Sequence, residues 1–149
     1  MAALVATGLL IFRLNPDDSL PAQRQGLIAS AEDLVRIDWT ATEDPAANGV
    51  SGNVVWSPGS QSGFMLFEGL APNDPAVSQY QLWIFDGTRS QEQPVDGGTF
   101  DVPAGSNQIV VRIDAKLPVR EAALFAVTVE QPGGVVVSDR ERIVALAGL

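Results

Sequence analysis

The side chains best able to do chemistry in this sequence are its carboxylates. Asp and Glu make up 18 of the 149 residues. Two carboxylates held a few ångströms apart act as acid and base in glycoside hydrolysis. The candidates for such a pair are Glu68, Asp86, Asp96 and Asp101. The sequence places no two of them at a catalytic separation, and a carboxylate beside glycine is more typical of a solvated turn. The protein is therefore interpreted as a non-enzyme.

Histidine and cysteine are both absent from the chain. Their absence excludes disulfides, thiol nucleophiles, imidazole bases and the ligands of ordinary zinc sites. Ser57, Ser62 and Ser138 have no histidine to activate them, and a Ser-Lys mechanism would have to use Lys116, the only lysine. The acidic segments lack the spaced register of a calcium loop. We therefore expect no cofactor and no metal.

The charge balance limits the partners of the protein. The formal net charge is −9 and the isoelectric point lies near 4.2. Nucleic-acid binding draws most of its affinity from Lys and Arg, and anionic lipid surfaces attract basic segments. Nucleic acid is therefore not expected as a partner.

Residues 2–12 form a continuously apolar run. As a helix they would rise about 16 Å, which is about half of a hydrocarbon core of roughly 30 Å. Three interpretations stay open: the end of a membrane span, a signal-peptide core, or a buried or partner-packed segment. The first is favoured, so residues 1–14 are predicted to be the end of a truncated transmembrane helix. In water this run would need burial, which would allow a homodimer.

Residues 15–34 predict one amphipathic, juxtamembrane helix. Asp18 or Ser19 suits the N-cap, and Pro21 suits the first turn, where its missing N–H costs nothing. Apolar residues then recur at helical spacing and form a predicted docking stripe for the body of the domain or for a partner. These residues are Leu20, Leu27, Ile28, Ala31 and Leu34.

From residue 35 onward the apolar period changes from 3.6 to 2. Strands are predicted at 35–40, 50–57, 63–69, 79–86, 99–102, 107–114, 122–130, 135–138 and 142–146. Turn-rich segments such as Asp96-Gly97-Gly98 and Pro132-Gly133-Gly134 separate them. The predicted fold class is all-β: an antiparallel β-sandwich of Ig-like or Greek-key type over 35–149, preceded by one α-helix.

The segment QYQLWIFDG carries large apolar side chains on both faces. Tyr80, Leu82 and Ile84 share one face, while Trp83 and Phe85 share the other. The helix or the second sheet is predicted to cover Trp83 and Phe85. The remaining predicted core positions are Val54, Trp56, Phe64, Leu66, Ile109, Val111, Ile113, Phe125, Val127 and Val129.

Three segments, in this order, resemble the C-terminal domain of the anti-sigma-K factor family: YQLWIFDG at 80–87, DGGTF at 96–100 and FAVTVEQPGG at 125–134. GNVVWSPGSQSGFMLFEGL at 52–70 resembles its first strands. The sequence departs from many relatives at 138–140, where they have a Pro-containing turn. The motif residues, all interpreted as structural, are Tyr80, Gln81, Leu82, Trp83, Gly97, Gly98, Phe100, Val127, Thr128, Glu130, Gly133 and Gly134.

The resemblance implies a non-enzymatic regulator of transcription, anchored in the cell membrane by a single helix, with this domain extracytoplasmic (periplasmic). It implies two protein partners: a sigma factor, held by an N-terminal domain that this sequence lacks, and a site-specific protease. The expected function is sensory, in that the domain controls regulated proteolysis and hence release of the sigma factor.

The alternative is a cell-envelope module that binds glycan or peptide through exposed aromatic rings. It predicts at least two tryptophan rings along one solvent-facing groove. Trp39, Trp56 and Trp83 all lie in alternating strand patterns, however, which favours core packing.

Overall fold

The computed structural model describes residues 18–149. In this range one helix, α1 (Leu20–Ser30), precedes nine strands. The strands are β1 (Val35–Asp38), β2 (Thr40–Ala41), β3 (Ser51–Ser57), β4 (Ser62–Glu68), β5 (Gln79–Asp86), β6 (Val95–Phe100), β7 (Gln108–Arg112), β8 (Ala122–Glu130) and β9 (Ile143–Gly148).

The strands form two antiparallel sheets that enclose a common core. One sheet has the order β1-β3-β4-β7 and the other the order β2-β9-β8-β5-β6. The chain changes sheets between β1 and β2, at the buried Trp39. The backbone N–H of Trp39 donates to the carbonyl of Gly52 at 3.0 Å. The prediction of an antiparallel β-sandwich with one helix is confirmed.

Residues 1–14, the predicted end of a membrane span, lie outside the described residues, as do residues 15–17 of the predicted helix. From residue 18 to the last residue, no helix combines the length and apolar character needed to cross a membrane.

Stacked aromatic rings run through the core between the sheets. The centroids of Trp39 and Phe67 lie 5.1 Å apart, those of Phe67 and Phe100 5.2 Å, and those of Phe100 and Tyr80 5.5 Å. Offset stacking adds a directional attraction to the hydrophobic gain of burial. These rings therefore join the segment between β1 and β2 to β4, β5 and β6.

Most predicted core positions are confirmed. Val54, Trp56, Ile113, Phe125 and Val127 are buried in the core, and Ile109, Val111 and Val129 pack at its edge.

Phe64 is buried, as predicted, but neither Phe64 nor Leu66 belongs to the core between the two sheets. Met65 pairs with Val54 across β3 and β4, and cross-strand partners share a face, so Met65 points inward with Val54. Phe64 and Leu66 consequently lie on the outer face. The central residues of β4 are all apolar, so apolar and polar residues do not alternate along this strand. The sequence pattern therefore did not indicate which face of β4 points into the core.

Two other local predictions are wrong. Residues 135–138 are not a strand but part of a long loop between β8 and β9. Asp96-Gly97-Gly98 is not a turn between strands but lies inside β6, where the register with β5 shifts opposite Leu82. Gly98 has φ +100°, and a Cβ on Gly97 would lie 2.6 Å from Leu82 Cδ2. The turn-forming residues thus build a β-bulge.

We expect Phe67→Ala to lower the free energy of unfolding by about 3–5 kcal/mol, because the ring is 1% exposed and stacks on two neighbours. Equilibrium unfolding in urea, followed by tryptophan fluorescence, measures this loss. Val77, which is 71% exposed, provides the control: Val77→Ala should change the free energy by less than about 0.5 kcal/mol. Equal losses in the two variants would contradict the central place of the stacked rings.

Candidate functional site

Loops cover the outer face of the five-stranded sheet. Trp83 and Phe85 point to this face, and Trp83 is buried. Residues 131–142, here called the covering loop, lie over them together with residues 87–94. The prediction that α1 or the second sheet covers these rings is wrong, because α1 contacts β3, β4 and β7 of the opposite sheet.

Gln81 fastens the start of the covering loop. Its side chain is buried, its Oε1 accepts from the Val135 N–H at 2.9 Å, and its Nε2 donates to the Val135 carbonyl at 3.0 Å. These are the two hydrogen bonds that a residue of a neighbouring strand would exchange with Val135. Gln79 adds a third contact, since its Oε1 accepts from the Gly133 N–H at 2.8 Å. The loop is therefore held by side-chain amides in place of a strand ladder.

The glycine pair Gly133-Gly134 allows the loop to approach this closely. Both residues have positive φ, +85° and +77°, where a side chain is strained. A Cβ on Gly134 would lie 2.8 Å from both Gln81 Oε1 and Thr99 Cγ2, whereas a Cβ on Gly133 would meet open space. Gly134 is thus required both by its backbone conformation and by its contact with Gln81.

A chain of hydrogen bonds ties the sheet to the middle of the covering loop. Trp83 Nε1 donates to Thr128 Oγ1 at 2.9 Å, and the Thr128 hydroxyl donates to Glu130 Oε1 at 2.8 Å. The Ser138 hydroxyl donates to the same Glu130 oxygen. Motif residues far apart in the sequence thus meet in one network that holds the loop down.

The other motif residues belong to the sandwich itself. Tyr80, Leu82, Phe100 and Val127 are buried in the core. The Tyr80 hydroxyl donates to the carbonyl of Ala71 at 2.6 Å, and burial raises the pKa of Tyr80 to about 12. This hydroxyl is therefore a structural hydrogen-bond donor. The assignment of these residues to structural motif positions of a family stays a prediction.

A cavity of about 290 Å³ lies between the covering loop and the sheet. Trp83, Phe85 and Ile143 line its sheet side, and Arg89 and Arg140 belong to the two loops around it. The Arg140 guanidinium lies 5.0 Å from the centroid of the Phe85 ring and donates to the Gln91 carbonyl. The sequence did not predict this cavity. Its one indication was that Trp83 and Phe85, on the second apolar face of β5, had to be covered by another part of the chain.

The second candidate region is the docking surface of α1. Ser19 is the N-cap, its Oγ accepting from the Ala22 N–H at 3.3 Å, and Pro21 occupies the first turn, as predicted. The helix ends at Ser30, earlier than the predicted residue 34. Its one buried residue is Arg24, which the helical spacing had assigned to the polar side.

Arg24 makes the central contact of this docking surface. Its Nη2 donates to Asn53 Oδ1 at 2.6 Å, and both side chains are buried. Its Nε is also buried and has no hydrogen-bond partner within residues 18–149. Burial and then repulsion from Arg36 lower the pKa of Arg24. A buried cation without a carboxylate is costly, so the helix is docked on an unfavourable group.

The predicted apolar stripe contributes less to docking than expected. Leu20 is 37% exposed, while Leu27, Ile28 and Leu34 are half-buried. A cleft of about 550 Å³ is lined by Leu27 of α1 together with residues of β4 and of the β7 end. The helix therefore leaves much of its apolar surface poorly packed.

Asp33 anchors the segment that follows the helix. Its Oδ1 accepts from the Ser57 hydroxyl at 2.7 Å, and its Oδ2 accepts from the Gly59 N–H at 2.6 Å. The hydrogen bond from Ser57, followed by that from Gly59, lowers the pKa of Asp33 below its usual value. The chain is thus attached to the turn between β3 and β4 independently of α1.

The carboxylates considered for catalysis serve the fold. Asp86 is buried and accepts from the N–H groups of Thr88, Arg120 and Glu121 and from the Thr88 hydroxyl. Burial raises the pKa of Asp86, but these hydrogen bonds together hold it below its usual value. Of the others, Glu68 accepts from Gln108, Asp96 from the N–H of Gly98, and Asp101 from Asn73 and Gln79. Within residues 18–149 no three acidic side chains gather into a metal-binding cluster.

The tryptophans do not form a common groove. Trp39 and Trp56 lie in the core, and only Trp83 borders the cavity under the covering loop. The arrangement expected of a glycan-binding or peptide-binding module, with two rings along one open groove, is therefore not present in the described part of the chain.

Comparison with known proteins gives one family. The family model described as anti-sigma-K factor rskA, C-terminal, matches residues 1–139 of the 149 residues. No curated protein and no solved structure matches the chain.

We expect Gly134→Ala to release the covering loop. Its Cβ would displace Gln81, so the variant should lose about 1–3 kcal/mol more unfolding free energy than Gly133→Ala, because buried hydrogen bonds are broken. Gly133→Ala is the matched control, with similar backbone strain and no clash. Urea unfolding gives the free energies, and hydrogen exchange of the Val135 amide reports the loop. Identical behaviour of the two variants would contradict the Gln81 contact.

Proposed function

Since this chain belongs to the anti-sigma-K factor family as its C-terminal domain, we propose that it is a sensory domain that shields a membrane-proximal segment from regulated proteolysis. The shielded segment comprises α1 and residues 31–34, immediately before the first strand. In the docked state α1 lies on the four-stranded sheet and is a poor protease substrate. In the released state the part of this segment before the Asp33 contact becomes an extended chain that a protease can bind.

The observation that carries this proposal is the buried Arg24 under α1. A helix of 11 residues is marginal by itself in water and depends on its docking surface. Here that surface contains a buried guanidinium with one side-chain acceptor, Asn53, and an incompletely filled cleft. Docking is therefore favourable only by a small margin, which is what a switch requires.

The anchor at Asp33 limits what moves. Its hydrogen bonds to Ser57 and Gly59 attach the chain just before β1. Release of α1 would leave this attachment and the sandwich intact, so the opening is local. A protease would then meet a flexible segment beside a folded domain.

The family implies a sigma factor as partner of the whole protein and an association with the membrane. We place this domain on the extracytoplasmic side, with residues 1–14 as the end of the membrane anchor. The sigma factor would be held by a different part of the protein, and a site-specific protease would act near α1. The net charge of −9 fits a domain with no role in nucleic-acid binding.

The domain acts without catalysis in this proposal. The buried carboxylate of Asp86 accepts from the N–H and hydroxyl of Thr88 in its own turn and from the N–H groups of Arg120 and Glu121 just before β8. The family is regulatory, which agrees with a domain whose polar groups hold loops and a helix in place.

We expect Asn53→Ala to expose the α1 segment to protease. The change removes the acceptor of Arg24 and leaves a buried cation, which costs about 1–3 kcal/mol. Cleavage by thermolysin within residues 20–34 should accelerate about tenfold or more, since cleavage of an opened state follows its population. Mass spectrometry of the fragments locates the cut, and tryptophan fluorescence shows whether the sandwich stays folded.

Two further variants make this experiment specific. Asn107→Ala, at an exposed position just before β7, is the matched control and should leave cleavage unchanged. The double variant Arg24→Met with Asn53→Val replaces the polar contact by apolar groups, so cleavage should be no faster than in the parent and docking can become tighter. The proposal fails if Asn53→Ala leaves cleavage of the α1 segment unchanged, or if cuts in β strands accelerate equally.

A further inference from the structure

The cavity under the covering loop has the form of a small ligand site. Its volume of about 290 Å³ is at the lower end of the range of about 300–1,000 Å³ that ligand pockets occupy. Trp83, Phe85, Ala126 and Ile143 give its sheet side an apolar surface. Trp83 Nε1 is already bonded to Thr128, so the indole ring offers mainly its apolar surface to an occupant.

Two valines at the rim of the cavity are unusually exposed. Val136 is 94% exposed and Val137 is 75% exposed, the two highest values among the exposed large hydrophobic side chains in residues 18–149. Both line the cavity. Exposed apolar side chains next to an apolar cavity indicate a surface that an apolar occupant would remove from water.

Two arginines from different loops line the same cavity. Arg89 and Arg140 line it from different loops, together with one acid, Glu92, in a chain of net charge −9. Arg89 Nε donates to the Gln93 carbonyl and Arg140 Nη2 to the Gln91 carbonyl. A guanidinium has five N–H donors, so each group keeps donors for a carboxylate beyond these bonds. The position of the two arginines therefore favours a small anion over a cation.

We propose that this cavity binds a small amphipathic carboxylate, with an aromatic or branched aliphatic body on Trp83 and Phe85 and its carboxylate at Arg89 and Arg140. Binding bridges residues 87–94 to the covering loop and buries Val136 and Val137. In the proposed sensory function, such a carboxylate would be the signal. Only this role as a signal rests on the proposed function; binding to the cavity does not.

The test uses 4-phenylbutyrate and its uncharged amide, 4-phenylbutanamide, as a matched pair of probes. The indole N–H signals of the three tryptophans are followed by ¹⁵N NMR in the 149-residue chain. We expect 4-phenylbutyrate to shift the Trp83 signal saturably at millimolar concentration and to bind about fivefold or more tightly than the amide. Trp39 and Trp56, buried in the core, should not shift.

Variants assign the charge contact. Arg140→Gln and Arg89→Gln should each remove most of the preference for the carboxylate and retain binding of the amide. Arg112→Gln is the matched control, because Arg112 lies over Phe64 at 5.8 Å from the ring centroid on the opposite sheet, and it should keep the preference. Unchanged Trp39 and Trp56 signals verify that each variant is folded.

The inference is overturned if Trp83 does not respond, if all three indole signals shift together, or if acid and amide bind equally in the parent chain. These outcomes are separate from failure of the proposed function. Loss of binding with intact protection of α1 would reject the ligand site alone, and binding without protection of α1 would reject the sensory function alone.

Discussion

Strand β5 carries large side chains on both of its faces, and the rest of the structure has to cover both. Leu82 and Ile84 face the core between the sheets, while Trp83 faces outward and is nevertheless 3% exposed. An uncovered Trp83 would leave a large apolar area in water. The chain covers it with a loop, and Gln81, the neighbour of Trp83 on the same face, holds that loop by hydrogen bonds that imitate strand pairing.

The two outer faces of the sandwich are covered in different ways. On the five-stranded sheet, the covering loop is fixed by Gln81, by the close approach of Gly134 and by the network through Glu130. On the four-stranded sheet, α1 is held by Arg24 on Asn53 beside an open cleft. The first cover is held by a network of hydrogen bonds, whereas the contact of the second contains a buried guanidinium nitrogen without a partner in residues 18–149. This difference is why the proposed function assigns the release step to α1.

The sequence predicted those features that depend on local preference. The bounds of β5 and β8 and the sandwich architecture follow from strand periodicity and turn chemistry and were confirmed. Of the two predicted N-cap candidates, Asp18 and Ser19, the helix uses Ser19. The features that failed depend on distant partners. Three successive valines at 135–137 have high strand preference, yet no strand forms there, and the backbone of Val135 pairs with the side chain of Gln81.

Arg24 shows the same limit for the candidate site. On a helical wheel an arginine is assigned to solvent, and its partner Asn53 lies 29 residues away on an unrelated strand. Likewise, Asp96-Gly97-Gly98 has the composition of a turn, and only its register against β5 shows that it forms a bulge. The burial of Arg24 and the bulge in β6 both depend on how the two sheets are assembled, which local sequence patterns do not describe.

Native-state hydrogen exchange shows whether α1 opens independently of the sandwich. Amide exchange of α1 and of the paired strands β5 and β8 is measured in the chain at increasing, sub-denaturing urea concentrations. We expect α1 to exchange through a local opening, with a free energy several kcal/mol below that of the strands and little dependence on urea. Exchange of α1 with the same free energy and the same urea dependence as β5 and β8 would contradict it.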